Sequence, residues 1–378
     1  MILPCDTWQL LGGLSPAQFM SRYWQRKPLL IRNSLPALPA GLTRARMFQL
    51  AGRDDAESRI VSRVRRRWSL EHGPFPASAL RARETPWTLL VQGVNLFDPA
   101  ADAILRRFDF IPQTRLDDLM VSWATDQGGV GPHFDSYDVF LLQLAGRRRW
   151  RLSRQKDRRL DARAPLKILA GFRPQEEHVL DPGDMLYLPP GFAHEGVAIG
   201  ECMTASIGFR AASATELARG VLEGLADTIA RPGHFTDPGR RPTAHPGLID
   251  DFQVDETLRL IGDLRPTRSQ VLRHIGTSLS EPKPQVVFDA PHPRLSAAAF
   301  AQAVRRHGIR LDLRTGMLYR GTSVFINGEA HGLPRAASAL RQLADRRSLP
   351  AGSALGAAAG TLIYAWYTHG WLHPGEHP

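Results

Sequence analysis

Two short motifs, far apart in the chain, carry histidine and aspartate at spacings that constrain the strands around them. In the first motif, residues 128–135, one residue separates His133 from Asp135, so an extended strand points both side chains to the same face. In the second, residues 181–194, a Pro-Gly turn, a short apolar run and a Pro-Pro-Gly turn lead to His194. Their long separation suits distant strands of one small barrel. The motifs therefore predict a β-rich domain in which the three side chains converge.

One imidazole and one carboxylate on a strand, together with a distant second imidazole, form the ligand set that holds Fe(II) in oxygenases and leaves coordination positions open. A His-x-Asp pair alone is more often structural, but here the second motif supplies the required partner. We therefore predict a metal site formed by His133, Asp135 and His194. His178 is a further histidine, but it lacks the strand-and-turn context of His194, and we interpret it as a surface residue.

The open positions of such a site suit dioxygen and a bidentate cosubstrate such as 2-oxoglutarate, whose far carboxylate needs a cation near the metal. The element at residues 146–150, Gly-Arg-Arg-Arg-Trp, supplies guanidinium groups that can bind a carboxylate bidentately. We interpret Arg147 and Arg149 as exposed arginines of a strand. Hydroxyl groups on neighbouring strands are candidates to complete the pocket: Ser122, Thr204 and Ser206.

Sequence patterns divide the chain into three zones and predict the α+β class. Residues 1–210 alternate short apolar runs with Gly and Pro, which is typical of β-strands. Residues 211–281 open with a helix-capping pattern followed by an apolar stripe of period four, which predicts helices. Residues 282–378 predict helices and hairpins around residues 314–316 and 326–328, a winged-helix-like module.

Composition indicates a soluble protein of a reducing compartment. No apolar run reaches the length of a membrane span, the first residues lack a signal-peptide pattern, and two cysteines cannot form a disulfide framework. We therefore expect a cytoplasmic protein without membrane association. Of the formal net charge of +11, much lies in residues 147–173, which hold 11 basic and 2 acidic residues. Such a stretch can attract nucleic acid, although a solvated Arg-rich loop is the commoner explanation.

The two metal motifs, the Gly-Arg-Arg-Arg-Trp element and the stretches 69–75, 87–95 and 115–122 resemble the JmjC-type ribosomal oxygenases. The resemblance is strongest to the bacterial branch, the ribosomal protein arginine 3-hydroxylases, and it spans nearly the whole chain. It implies a double-stranded β-helix, the JmjC or cupin-like barrel, in the first zone. For the second zone it implies a helical dimerisation region, hence a homodimer, and for the third a C-terminal winged-helix-like domain.

The same resemblance implies Fe(II) at the predicted triad, with 2-oxoglutarate as cosubstrate and O2 as oxidant. Arg148 takes the position that binds the far carboxylate of 2-oxoglutarate, and Ser122 falls where the family contacts the cosubstrate. Two departures stand out. Thr204 stands where the family pattern has Asn, and the stretch 147–173 replaces a less basic connection.

The implied activity is hydroxylation at C3 of an arginine in a large-subunit ribosomal protein. An arginine substrate needs a carboxylate and an aromatic wall at the mouth of the site. Asp118 and Tyr137 are the candidates, because Tyr137 shares its strand face with His133 and Asp135. Asp118 can equally cap a turn, and Tyr137 can belong to the core. We predict no catalytic residue beyond the metal ligands.

Three other functions stay open from the sequence. A histidyl hydroxylase of a ribosomal protein has the same metal and cosubstrate requirements. A cupin-like metal enzyme that does not use 2-oxoglutarate keeps the three ligands but has no need of Arg148. A nucleic-acid-binding regulator uses residues 282–378 with an inert barrel, although no stripe of alternating aromatic and basic residues supports direct nucleic-acid binding.

Overall fold

The chain forms two compact units in a computed structural model. Unit 1 holds residues 1–211, 282–315 and 334–378, and unit 2 holds residues 212–281 and 316–333. Segment 316–333 thus groups with the helices of the middle zone, although the sequence places it in the third. The predicted domain boundaries near residues 210 and 281 stay a prediction. The structure describes residues 7–65, 67–83, 86–210, 213–227, 229, 249, 251–262, 264–333 and 338–375.

The described residues contain helices and strands throughout, as the α+β prediction requires. The helices are α1 (Thr7–Leu10), α2 (Pro16–Arg22), α3 (Arg44–Ala51), α4 (Ala77–Arg81), α5 (Pro99–Leu105), α6 (Ala214–Ala226), α7 (Asp251–Gly262), α8 (Arg268–Ser280), α9 (Ala297–His307), α10 (Ser338–Arg346) and α11 (Ala357–Thr368). The strands are β1 (Leu29–Ile31), β2 (Ser58–Val64), β3 (Arg67–His72), β4 (Trp87–Val91), β5 (Leu116–Ala124), β6 (Asp138–Ser153), β7 (Glu176–Leu180), β8 (Met185–Leu188), β9 (Ala193–Phe209), β10 (Ile309–Leu311), β11 (Met317–Arg320), β12 (Ser323–Ile326), β13 (Glu329–Gly332), β14 (Ser348–Leu349) and β15 (Leu372–Pro374).

A nine-stranded antiparallel sheet forms the main part of unit 1. Its strand order is β1-β8-β6-β9-β5-β4-β2-β3, and β7 pairs with the far half of β6. The long strands β6 and β9 pair along most of their length, with register shifts between Gln143 and Arg147. Gly146 lies at this irregularity with φ of +58°, and a Cβ there would lie 2.0 Å from the carbonyl oxygen of Glu201. Only glycine fits this position.

Alternate residues of β6 face two different hydrophobic cores, as the period of a strand dictates. Phe140 contacts Phe19 of α2 at 5.4 Å between ring centroids and belongs to the core between the sheet and the N-terminal helices. Val139 and Leu141 point to the opposite face of β6 and pack with Leu152 in a second hydrophobic core.

His194 lies on β9, whereas His133 and Asp135 precede β6, and of these two only His133 makes a strand-like contact, the isolated bridge to His194. The predicted strand that places His133, Asp135 and Tyr137 on one face is therefore wrong, because β6 begins only at Asp138.

Two helix N-termini show capping boxes, and the one at α6 is the helix-capping pattern that the sequence predicts. At α2 the Ser15 side chain accepts from the backbone N–H of Gln18, the Gln18 side chain accepts from that of Ser15, and Pro16 takes the first helical position. At α6, Ser213 and Glu216 make the same reciprocal pair. Each capping box involves residues only one helical turn apart, so the sequence alone suffices to predict it.

The C-terminal part of unit 1 corrects one turn prediction. Residues 314–316 do not connect a hairpin: β10, before them, pairs with β14 and β15, whereas β11, after them, pairs with β12. The segment is fixed by Asp312, whose carboxylate accepts hydrogen bonds from the backbone and guanidinium of Arg314 and lies 3.1 Å from Nε2 of His373. The predicted turn around 326–328 is confirmed as the hairpin between β12 and β13.

Unit 2 combines the helices α6, α7 and α8 with the three-stranded sheet β11-β12-β13. Helix α8 packs on this sheet so closely that a Cβ at Gly276 would lie 2.4 Å from the Phe325 ring. Helices α6 and α7 leave large apolar side chains exposed, including Leu217, Leu222 and Leu258. Within the described parts of both units, no helix is long and apolar enough to cross a membrane.

Candidate metal centre and cosubstrate pocket

The predicted metal ligands come together. His133 and His194 form an isolated antiparallel bridge in which the backbone N–H of each donates to the carbonyl oxygen of the other, at 2.9 and 2.8 Å. Nε2 of His133 lies 4.0 Å from Oδ1 of Asp135, and Nε2 of His194 lies 3.7 Å from Oδ2 of the same carboxylate. In the part of the chain that the structure describes, this is the one cluster of three metal-ligating side chains.

The orientation of both imidazoles fits metal binding. Nδ1 of His133 lies 2.9 Å from the carbonyl oxygen of Gly131, and Nδ1 of His194 lies 2.9 Å from that of Phe192. A carbonyl can only accept, so it holds the proton on Nδ1 and leaves the lone pair of Nε2 facing the carboxylate. The donor set and its spacing therefore fit a divalent first-row metal such as Fe(II).

Burial keeps one of these ligands neutral. Only 3% of His194 is exposed, and desolvation together with the neighbouring His133 lowers its pKa to about 4. At neutral pH the imidazole is therefore uncharged, as a metal ligand must be. Asp135 contributes the single negative charge of the donor set.

Arg148 provides a buried cation beside the metal site. It is 5% exposed, and its Nε donates to Sγ of Cys202 at 3.4 Å. Its Nη2 is buried and has no hydrogen-bond partner among the described residues. The guanidinium lies 5.8 Å from the ring centroid of Trp150, and that ring lies 5.8 Å from the ring of His194. A buried guanidinium with an unpaired donor is costly without an anion, so the pocket fits a carboxylate such as the far end of 2-oxoglutarate.

The three predicted hydroxyl residues lie on the neighbouring strands β5 and β9. Ser122 of β5 lies opposite Thr204 of β9 and donates to its carbonyl oxygen at 3.4 Å. The Thr204 hydroxyl donates to Oε1 of Gln143 at 2.9 Å, and Ser206 follows two residues later, on the same face of β9. Their contact with a cosubstrate stays a prediction. The sequence reading missed Thr88 of β4, whose buried hydroxyl oxygen has no hydrogen-bond partner within the described chain.

The two predicted substrate residues have different surroundings. Tyr137 is 37% exposed, and burial of its hydroxyl together with the nearby Asp135 and Asp118 carboxylates raises its pKa. Asp118 is buried, and it caps no turn. Its carboxylate accepts from Nζ of Lys283 at 2.9 Å and from Nε2 of Gln92 at 2.8 Å. Lys283 gave no sequence signal, because 165 positions separate it from its partner.

His178 lies apart from the triad. It is half-buried on β7, and its Nε2 lies 3.6 Å from Oε2 of Glu176. It contributes no atom to the metal cluster, as expected from the sequence, although it is half-buried rather than a surface residue.

Comparison with known proteins defines the class. A family model described as JmjC domain matches residues 103–217, and one described as ROXA-like winged helix matches residues 260–373. The chain is 32% identical over 335 residues to the ribosomal protein uL16 3-hydroxylase of Escherichia coli, covering 88% of this chain and 89% of that protein. It is also 35% identical over 217 residues to a probable ribosomal oxygenase of Haemophilus influenzae, covering 56% of this chain and 54% of that protein.

Solved structures agree with this assignment. A structure of YcfD, a ribosomal oxygenase from Escherichia coli, in complex with cobalt and 2-oxoglutarate matches with a TM-score of 0.81 at 29% identity, covering 95% of this chain and 98% of that chain. Another structure of the same Escherichia coli protein matches with a TM-score of 0.84 at 30% identity, over the same shares of the two chains. The architecture is therefore that of a JmjC oxygenase with a winged helix. Within that class, the chain belongs to the ribosomal oxygenases.

Proposed function

We propose that this protein is an Fe(II)- and 2-oxoglutarate-dependent oxygenase that hydroxylates C3 of an arginine in its host's uL16 ribosomal protein. The observation that carries the proposal is the triad of His133, Asp135 and His194 with the buried, unpaired guanidinium of Arg148 beside it. The uL16 3-hydroxylase activity of the similar Escherichia coli protein and the 2-oxoglutarate complex of YcfD support it.

Each residue of the site has a role that follows from its position. The triad would hold Fe(II), which would supply the oxidising power for hydroxylation together with 2-oxoglutarate and O2. The 2-oxoglutarate would be converted to succinate and CO2. Arg148 orients the cosubstrate through its far carboxylate. Trp150, whose ring lies 5.8 Å from both that guanidinium and the His194 ring, forms an apolar wall beside the cosubstrate and helps to exclude water from the pocket. Ser122, Thr204 and Ser206 complete the wall of the pocket.

For the substrate, Tyr137 offers an aromatic wall beside Asp135, and Asp118 offers a carboxylate to the guanidinium of the target arginine. Without substrate, the ammonium of Lys283 is the counter-ion of Asp118. Binding of an arginine at Asp118 therefore exchanges one cation for another and leaves no buried carboxylate unpaired.

We further propose a cytoplasmic homodimer. The exposed apolar side chains of helices α6 and α7 support dimerisation, because surface helices of a monomer rarely present so many. A cytoplasmic location follows from a ribosomal protein as substrate in bacteria. The exposed side chains are Leu217, Leu222, Val254, Leu258 and Ile261.

The test is succinate release from 2-oxoglutarate after anaerobic loading with Fe(II), with overlapping peptides of the host's uL16 as substrates. We expect one peptide to stimulate release and to gain one oxygen atom by mass spectrometry. Replacing its arginines by lysine must abolish the gain, whereas replacing its histidines by alanine must not. The reverse pattern contradicts arginine as the target and identifies a histidyl hydroxylase. Failure to turn over 2-oxoglutarate at all contradicts the oxygenase.

A further inference from the structure

The connection between β6 and β7, residues 154–175, is a strongly basic loop, which we call the mouth loop. It contains seven basic and two acidic residues. Every one of its basic side chains is exposed: Arg154, Lys156, Arg158, Arg159, Arg163, Lys167 and Arg173. Genome composition can explain many arginines, but it does not explain where this loop lies.

The mouth loop is attached to the segment that carries two metal ligands. The guanidinium of Arg158 lies 4.8 Å from the ring centroid of Phe134, the residue between His133 and Asp135. On the other arm of the loop, the backbone N–H of Leu169 donates to the carbonyl oxygen of Pro132 at 2.8 Å. Two contacts on separate arms fix the loop beside the metal site.

A second basic segment lies against the residues that directly precede His133. The tip of the hairpin between β2 and β3 exposes Arg63, Arg65 and Arg67, and the Arg63 guanidinium lies 5.0 Å from the ring centroid of Trp68. A Cβ at Gly131 would meet that tryptophan ring at 2.8 Å and Cδ1 of Ile168, in the mouth loop, at 3.0 Å. The hairpin tip and the mouth loop therefore flank one segment, and together we call them the basic rim.

The acidic residues of the mouth loop do not cancel its charge. Asp157 pairs with Arg159 at 2.7 Å, and Asp161 pairs with Arg163 at 3.1 Å. Among the described residues, no carboxylate lies within 4.0 Å of the charged groups of Lys156, Lys167 or Arg173. Arg158 also lacks a carboxylate partner, but its guanidinium donates to the carbonyl oxygen of Gly191 and contacts the Phe134 ring. The loop is held instead by Gln155, whose side chain donates to the carbonyl oxygen of Gly171 and accepts from the backbone N–H of Arg173.

We propose that the basic rim binds the phosphate backbone of RNA next to the substrate residue, so that the enzyme acts on its ribosomal protein in an RNA-bound form. This inference rests on the proposed function for its substrate. A positive rim repels a free arginine-rich polypeptide but attracts a polyanion. Exposed cations without a carboxylate partner suit phosphate contacts, which need charge and reach but no fixed geometry. Because the side chains of Lys156, Lys167 and Arg173 make none of the hydrogen bonds that hold the loop, they are available to a ligand.

The test measures RNA binding by the full-length protein directly. A short fluorescent RNA duplex is titrated by anisotropy at several salt concentrations, and the logarithm of affinity is plotted against the logarithm of salt concentration. The test variant is Lys156→Gln, Lys167→Gln and Arg173→Gln combined. Each lost phosphate contact lowers the slope by about 0.7 to 0.9, so we expect the three substitutions to reduce it by roughly 2. The matched control is Arg22→Gln, Arg26→Gln and Arg306→Gln, three exposed cations outside the rim, and its slope should equal that of the wild type.

The outcomes separate this inference from the proposed function. Reduced RNA affinity in the rim variant, with unchanged turnover of a short peptide, supports it. Absence of RNA binding by the wild type, an equal slope in the rim variant, or a reduced slope in the control overturns it, whatever the turnover. Tighter binding of a polyglutamate peptide than of the RNA at equal charge concentration also overturns it, because the rim would then be a surface for an acidic protein. If the wild type does not turn over the peptide, only the proposed function is contradicted.

Discussion

The cosubstrate anchor gives the sharpest mutational prediction. Replacing Arg148 by methionine keeps a long apolar side chain in the pocket but removes the guanidinium. Hydrogen bonds to a charged group contribute about 1.5 to 3 kcal/mol each, so losing a two-point contact with the far carboxylate costs at least about 3 kcal/mol. This corresponds to a rise of at least roughly 100-fold in the Kd for 2-oxoglutarate.

The same substitution should not destabilise the protein without cosubstrate. Because Nη2 of Arg148 is buried without a partner, the wild type carries a desolvation cost that methionine removes. We therefore expect the Tm of the Arg148→Met variant to equal or exceed that of the wild type. Loss of cosubstrate binding at unchanged or higher Tm separates anchoring from folding.

The assay is a thermal-shift titration with 2-oxoglutarate in the presence of Mn(II), which resists oxidation. A ligand that binds only the folded state raises Tm with concentration, and the concentration at which the rise begins reports Kd. Arg147→Met is the matched control, since Arg147 is exposed one residue away on the same strand. Equal Kd values for the wild type and Arg148→Met would refute Arg148 as the anchor. Absence of any rise in the Tm of the wild type with 2-oxoglutarate would favour a metal enzyme that does not use it.

Three further predictions concern stability, measured by thermal or urea unfolding. Gly276→Ala places a methyl group against the Phe325 ring and should cost about 1 to 3 kcal/mol; an unchanged midpoint contradicts the packing of α8. Tyr187→Phe removes the hydroxyl that donates to Asp138 at 2.6 Å, and should cost about 1 to 3 kcal/mol while peptide turnover persists. Although 39% of the Asp109 side chain is exposed and Arg106 lies 3.6 Å away, partial desolvation raises the pKa of its carboxyl from 3.8 to about 6, so wild-type stability falls as pH rises through that window. Asp109→Asn lacks this loss, and its Tm advantage should grow across the window; a constant difference contradicts the raised pKa.

The metal ligands were predictable because their signal is local. One residue separates His133 from Asp135, so a single short segment carries both, although it forms no strand beyond the isolated bridge of His133. Turn residues lead to His194 at the start of β9. The same holds for the capping box at Ser15 and for the hairpin at Asn327, whose φ of +47° matches the preference of Asn-Gly turns. Each pattern needs only residues within one or two turns of one another.

Long-range pairings left no such signal. Lys283 and Asp118 meet only because the chain between them folds back, and no sequence periodicity predicts that fold. Thr88 lies in a fully buried strand, where apolar neighbours conceal a polar residue.

The turn at residues 314–316 was misread for a related reason. Gly316 reads as a hairpin glycine, but a Cβ there would lie 2.7 Å from the carbonyl oxygen of Ser280. The glycine therefore serves a close backbone approach. Glycine alone does not distinguish a turn from such an approach.

The most direct test of the oxygenase is the fate of isotopically heavy O2. Reaction of the Fe(II)-loaded enzyme with 2-oxoglutarate and the responding uL16 peptide should place one heavy oxygen atom in the peptide and one in succinate. The His194→Ala variant should place none in either product. Heavy oxygen that enters the peptide from labelled water rather than from O2, or an His194→Ala variant that hydroxylates at the wild-type rate, would contradict the assignment of this triad as the oxygenase centre.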